Sequence, residues 1–155
     1  MAKQNKEYVY VDCYQCDENG KSSPWKRKHL DDVPKWQHEE AKDFNCFATV
    51  QKYANEKKTE GEDFLAPLYF DLDYSENPAV AQEEAIKLVE FFTGELDIQE
   101  QDLHIYFSGS KGFHILVDER ALGVEPRKDL QRVYKHIAGY LRYRLGEVQE
   151  QEDEN

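Results

Sequence analysis

The chain has 155 residues, 39% hydrophobic and 34% charged, with a formal net charge of −12. That length suits a single domain able to bury a core, and no apolar run approaches the roughly 18 residues of a membrane-spanning helix. An acidic surface is not one that nucleic acid coats, so any contact with a polyanion has to be local.

The charge is unevenly placed. Glu147 to Asn155 holds five acids and no base, whereas Glu119 to Leu145 holds seven Lys/Arg against three Asp/Glu. Three cysteines, an odd number, do not make a disulfide framework. The N-terminal Met-Ala-Lys-Gln-Asn-Lys lacks the apolar core of a signal peptide. A reducing, cytoplasmic setting is expected.

In chain order, Glu7 to Asp12 predicts a short strand with Tyr8 and Tyr10 on one face and Val9 and Val11 on the other. Cys13 and Cys16 follow as a Cys-x-x-Cys, then the turn Asp17-Glu18-Asn19-Gly20. With His29, His38 or Cys46 the two cysteines make a candidate zinc set, because tetrahedral Zn²⁺ favours Cys and His. The plainer reading is a pair of reduced cysteines near a strand end. Lys21 to Glu40 reads as polar and irregular, with Trp25 and Trp36 as anchors onto the core. Phe44, Cys46, Ala48 and Val50 fall at period two and predict a strand within Asp43 to Tyr53. Glu56 to Asp63 is a charged loop.

Ala66 to Leu72 is apolar and predicts a central strand buried on both faces. Asn77-Pro78 is a helix start, with Asn as the cap and Pro as the first helical residue. Ala81, Ala85, Leu88, Val89 and Phe92 share one face of that helix, and Gly94 ends it. Leu103 to Phe107 and Phe113 to Val117 predict a hairpin around the loop Ser108 to Gly112. Pro126 opens a last helix with Leu130, Val133, Tyr134, Ile137 and Leu141 on its apolar stripe. Arg127, Lys128, Arg132, Lys135, Arg142 and Arg144 occupy its other faces, where they either track a nucleic-acid backbone or are simply solvated. The expected organisation is one domain over residues 1–145, with N-terminal strands and loops to residue 60, a motif-bearing core from residue 61, and an acidic tail over residues 146–155.

Two stretches carry chemistry. Asp71 and Asp73 lie two apart at a strand end, so both carboxylates point to one face. Two adjacent like charges call for a neutralising cation, and hard ions such as Mg²⁺ or Mn²⁺ take carboxylate and phosphate oxygens. In Ser108-Gly109-Ser110-Lys111-Gly112-Phe113-His114, the two glycines let backbone approach a ligand. Loops of this kind cradle anions. Lys111 adds a point charge suited to phosphate, and Ser108, Ser110 and His114 add hydrogen-bond donors. Each stretch alone also reads as ordinary turn chemistry. Tyr74 and Phe113, beside the two stretches, are placed to contact a base or sugar.

Together the residues are recognisable. Tyr69-Phe70-Asp71-Leu72-Asp73, followed by Phe107-Ser108-Gly109-Ser110-Lys111-Gly112-Phe113-His114, resembles the first two catalytic motifs of the archaeo-eukaryotic primase superfamily. The resemblance covers roughly Phe44 to Leu145. It implies an α+β, two-layer fold: an RRM-like or ferredoxin-like split βαβ core with helices on one face and N-terminal strands added. It implies that Asp71 and Asp73 bind Mg²⁺ or Mn²⁺ as catalytic carboxylates. Ser108, Gly109, Ser110, Lys111, Gly112 and His114 would hold a nucleoside triphosphate, with His114 also catalytic. The implied activity is template-directed primer synthesis on single-stranded DNA, with a helicase or further primase chain as partner and no membrane. The family's third carboxylate lies on a later strand, where this sequence turns acidic near residue 146, so a truncated or minimal catalytic domain is expected. Two other readings remain open: a non-catalytic nucleotide- or nucleic-acid-binding module derived from a primase, and a Mg²⁺-dependent phosphohydrolase using the first Asp as nucleophile.

Overall fold

Tyr10–Gln15 forms the first strand, β1, three residues further along than the alternation at Glu7 to Asp12 suggested. The structure, a computed structural model, describes residues 6–42, 45–74, 77–109 and 112–152. β1 pairs antiparallel with β2 (Lys26–His29) and β3 (Cys46–Ala48), and β4 (Lys52–Tyr53) joins it to β5 (Phe64–Leu65). Between β2 and β3 runs a helical stretch: a 3-10 turn at Leu30–Asp32, the short α1 (Val33–Lys35) and a π turn at Trp36–Glu40. Trp36 packs with Val11, Cys13 and Ala41 in a small core.

Sequence periodicity misread this half in three places. The strand expected within Asp43 to Tyr53 is two strands, broken where the Thr49 N–H donates to the Asp12 carbonyl (2.9 Å) and the Thr49 hydroxyl to the Gln51 carbonyl (3.0 Å). Phe44 lies outside the described residues. Trp25 is half exposed rather than a core anchor. Lys26–His29, read as irregular, is a strand without apolar alternation because ion pairs hold it. Arg27 donates from Nε and Nη2 to Asp12 (3.0 and 3.2 Å) and from Nη1 to Glu62 (2.6 Å), and lies 3.7 Å over the Tyr53 ring. Lys58 adds a second cation 3.1 Å from Asp12. Burial alone would raise the Asp12 carboxyl, but the Arg27 and Lys58 partners outweigh it and hold it below the usual carboxylate range.

The second half is a three-stranded antiparallel sheet with two helices, an α+β arrangement. β6 (Leu68–Asp73) and β7 (Leu103–Phe107) both run antiparallel to β8 (Gly112–Val117), which lies between them. β6 leads into α2 (Pro78–Glu90), capped by the Asn77 side chain, which accepts from the Ala79 N–H at 3.2 Å. The helical path continues beyond Glu90 as a π turn, Phe91–Glu95, burying Phe91 and Phe92, so Gly94 sits inside the last turn rather than ending it. α3 spans Leu130–Glu152. It starts four residues after Pro126, where the Asp129 carbonyl accepts from the N–H groups of Arg132 and Val133 (3.0 and 3.2 Å). It also continues where a solvated tail was expected, through a Glu- and Gln-rich stretch of good helix formers.

β6 alternates strictly. Leu68, Phe70 and Leu72 are buried, and Tyr69, Asp71 and Asp73 are exposed. This corrects the expectation of a strand buried on both faces. β6 also lies at the edge of the three-stranded sheet rather than in its centre. Tyr69 reads as apolar in sequence but sits on the solvent side. Ala81, Ala85 and Leu88 of α2 and Leu141 of α3 pack with Leu68, Phe70, Leu72, Ile115 and Val117, so both helices lie on one face over β6 and β8, while Ile105 and Phe107 of β7 on that face stay exposed. By contacts the chain divides into two units, Met1–Ala66 with Glu125–Lys128, and Pro67–Val124 with Asp129–Asn155.

Candidate active site on an open sheet face

Strand register sets the site. The open face of the second sheet carries three rows: Tyr69, Leu116 and His104; then Asp71, His114 and Tyr106; then Asp73 and Gly112. The two carboxylates are thus neighbours along β6, and His114 stands directly across from the first. His114 Nε2 lies 3.4 Å from Asp71 Oδ1, and both side chains are open to solvent. The Tyr69 ring sits 5.5 Å from the His114 ring, and burial together with the Asp71 charge raises its phenol above the ordinary value.

The two glycines of the loop serve different physical needs. Gly109 has φ +97°, a conformation L side chains rarely adopt. Gly112 is not among the positive-φ glycines, but a Cβ there would collide with the Leu72 carbonyl oxygen, so the close approach of β8 to β6 excludes any side chain. The loop is closed by Ser108, whose N–H donates to the Gly112 carbonyl and whose hydroxyl oxygen accepts from the Gly112 N–H, both at 2.9 Å. That second bond uses the oxygen as acceptor, so the hydroxyl hydrogen is not spent in it. Ser110 and Lys111 lie outside the described residues.

Asp71 and Asp73 supply hard oxygen donors on one face, the ligand chemistry that Mg²⁺ or Mn²⁺ takes. Among the described residues no group of three His, Cys, Asp or Glu comes together anywhere. Cys13 and Cys16 are not convergent: the strand period sends them to opposite faces, Cys13 into the small core and Cys16 toward Ser22 (Sγ to Oγ 3.5 Å). Cys46 packs with Cys13's core and His29 lies against Tyr10, so the candidate zinc set is not assembled.

Several expectations about neighbours change. Phe113 pairs with Leu72 and packs on Phe107 (5.5 Å), on the helix-covered side rather than beside the carboxylates. Tyr74 donates its hydroxyl to Glu84 at 2.6 Å. Tyr106, half exposed and opposite His114, was overlooked; its position two before Ser108 already put it on that face. Arg127 and Lys128 precede α3 rather than lie on it: the Arg127 N–H donates to the Phe64 carbonyl at 3.1 Å. Arg132 and Lys135 are on α3 and exposed, Arg132 pairing with Asp129 at 3.4 Å. Beside β6, a groove of about 380 Å³ is lined by Leu72 and Leu88, by Leu141 and Leu145 of α3, and by Glu84 and Arg142. Among the described residues β6 pairs with β8 alone.

The open face thus brings together two adjacent carboxylates, a histidine, a serine and a glycine-containing loop. The sequence profile of the DNA primase small subunit matches residues 70–152, more than half of the chain, and the chain belongs to that family. It is 36% identical over 95 residues to the DNA primase small subunit PriS of Thermoplasma volcanium, covering 52% of this chain and 27% of that one. It is 40% identical over 60 residues to PriS of Pyrobaculum islandicum (37% and 19%), and 36% over 76 residues to PriS of Methanocorpusculum labreanum (42% and 20%). The matches thus span about a fifth to a quarter of these relatives. No solved structure gives a significant match. Among the described residues no helix is long and apolar enough to cross a membrane.

Proposed function

We propose that this chain carries the nucleotide- and metal-holding part of a primase-type nucleotidyltransferase, which joins nucleotides on a single-stranded DNA template. The observation that supports it most is the row of Asp71 and His114 on an open sheet face, with Asp73 one step along and the Ser108–Gly112 loop at the end of the same strands. Membership of the primase small subunit family agrees with it. A divalent cation bound by Asp71 and Asp73 supplies charge neutralisation for phosphoryl transfer. The chain's own residues then position the substrate. Ser108 presents its hydroxyl hydrogen to a phosphate oxygen. His114 Nε2, already aimed across the face toward Asp71, gives a second donor. Gly109 meets open space and leaves the loop free of a side chain there, and Gly112 lets β8 lie against β6. No covalent intermediate is needed, since positioning and electrostatics carry this chemistry.

We read the second sheet as an RRM-like or ferredoxin-like split βαβ unit, supported by β8 lying between β6 and β7 with both helices on one face. That pattern calls for a further strand after α3.

The test is primer synthesis on a single-stranded template with Mg²⁺ or Mn²⁺, comparing wild type with Asp71→Asn and Asp73→Asn. A loss of about 10³-fold or more is expected, the upper end for removing one charge-stabilising group; equal activity in all three would sink the reading. The short coverage of the relatives keeps a second reading alive, a binding module without catalysis. It predicts nucleoside triphosphate binding that depends on Mn²⁺ and Asp71, with no product in any variant.

A further inference from the structure

The sheet of the first unit has a face outside its small core. Tyr10, Asp12 and Tyr14 point to it from β1, and register adds Arg27 and His29 from β2, Phe47 from β3 and Tyr53 from β4. At one end the Tyr14 ring lies 4.8 Å from that of Phe47, 12° from parallel, and 4.3 Å from that of Trp25. Trp25 and Phe47 remain 49% and 46% exposed. Beside the rings, an open pocket of about 360 Å³ is lined by Asp12, Arg27 and Tyr53 together with Lys58, Lys128 and the acids Glu60 and Glu62.

A ladder that only staples strands needs rings touching each other. This one also leaves two large rings, Trp25 and Phe47, half open to water on either side of Tyr14. Open ring faces stack on nucleobases, and they do so with little sequence preference because every base has a π face. The pocket beside them carries three cations, Arg27, Lys58 and Lys128, and three acids, Asp12, Glu60 and Glu62; Arg27 holds Asp12 and Glu62, and the exposed lysines are what a phosphate would meet. Arg27 is occupied by Asp12, Glu62 and the Asn55 carbonyl, so it serves the fold, and it neutralises Glu62 at 2.6 Å. Lys58 makes an ion pair with Asp12 while its side chain stays 52% exposed, and Lys128 is exposed on the same pocket. Flat aromatic surface next to two ammonium groups matches the alternation of base and phosphate along a single strand, whereas an apolar peptide would leave the two lysines unused.

We propose that this face is a second nucleic-acid site. It takes single-stranded nucleic acid, with a base on the Trp25, Tyr14 and Phe47 rings and a neighbouring phosphate at Lys58 and Lys128. The choice of ligand class rests on the nucleotidyltransferase reading above, but the residues are separate from Asp71, Asp73 and His114.

The test uses the full chain and a labelled oligodeoxythymidine at low salt, read by anisotropy and by tryptophan emission. Trp36 is buried and Trp25 is not, so stacking is expected to quench the Trp25 share of the emission. Phe47→Ala is expected to weaken binding by about 5- to 150-fold, and Phe47→Tyr to restore it. Lys58→Ala and Lys128→Ala each lower the salt slope by about 0.7. Circular dichroism separates a lost site from a lost fold; Phe47→Tyr, which keeps the ring, serves the same purpose. Unchanged affinity in folded Phe47→Ala overturns the proposal, as does equal binding of duplex, or binding with no quenching. The Asp71→Asn/Asp73→Asn double variant is expected to keep wild-type affinity. If it loses the strand, the carboxylate site holds it and this inference falls while the catalytic reading stands. Strand binding intact with no primer synthesis under any condition removes the catalytic reading and leaves this one.

Discussion

Gly112 shows how much of the candidate site depends on space. Its backbone is unremarkable in φ, yet the Leu72 carbonyl occupies the place of a side chain, beside the pairing of Gly112 with Asp73. Gly112→Ala is therefore expected to push β8 away from β6 and cost about 3 kcal/mol, the upper end for forcing a methyl group into filled space. Thermal unfolding reads this directly; a Tm within a degree of wild type would contradict the close approach. Gly109→Ala acts through φ instead and meets open space, so its cost is conformational and local to the loop. Sequence showed that both glycines belong to one loop. It did not show that one is required for its torsion and the other for its smallness, because that distinction arises from the neighbouring strand.

At the scale of elements, β2 is held to β1 by charge. The Asp12 carboxyl is lowered in the folded protein, so the unfolded chain takes up the proton first as pH falls. The stabilisation is complete above the unfolded value near pH 4 and is lost progressively below it. Unfolding free energy measured between about pH 5 and about pH 3 is expected to fall, with a smaller slope in Asp12→Asn. At neutral pH that variant is expected to lose about 3–5 kcal/mol, because Arg27, 5% exposed, is left with one charge partner fewer. An equal slope in both proteins would place the acid sensitivity elsewhere. The same network explains what periodicity reveals and what it hides. β7, β8 and the start of α2 were legible because local rules made them: alternation, a hairpin loop and an Asn-Pro cap. β2 was hidden because its partner Asp12 lies fifteen residues away, and the start of α3 was misplaced because Pro126 belongs to a segment tied to Phe64. In the site, strand parity correctly put Asp71 and Asp73 on one face. It placed Phe113 wrongly only where proximity in sequence was used instead of register.

At the scale of the molecule, a net charge of −12 opposes compaction through self-repulsion. Salt screens exposed charges far more than the buried Asp12–Arg27 pair. Raising ionic strength at neutral pH is therefore expected to raise Tm by about 2–4 °C, the shift that about 1 kcal/mol produces in a protein of this size. A Tm that falls with salt would show that attractive surface pairs such as Arg144–Glu95 (2.9 Å) outweigh the repulsion.

The bridge from Arg127 to Phe64 has a consequence in time. Residues Glu125–Lys128 complete a unit whose other members end at Ala66. A ribosome adding about 5–20 residues per second makes β5 some 3 to 13 seconds before its last partner exists. During that interval the edge of Phe64–Leu65 is without the Arg127 hydrogen bond, and the whole second sheet is synthesised before the first unit can close. The nascent chain thus cannot finish its halves in the order in which they begin.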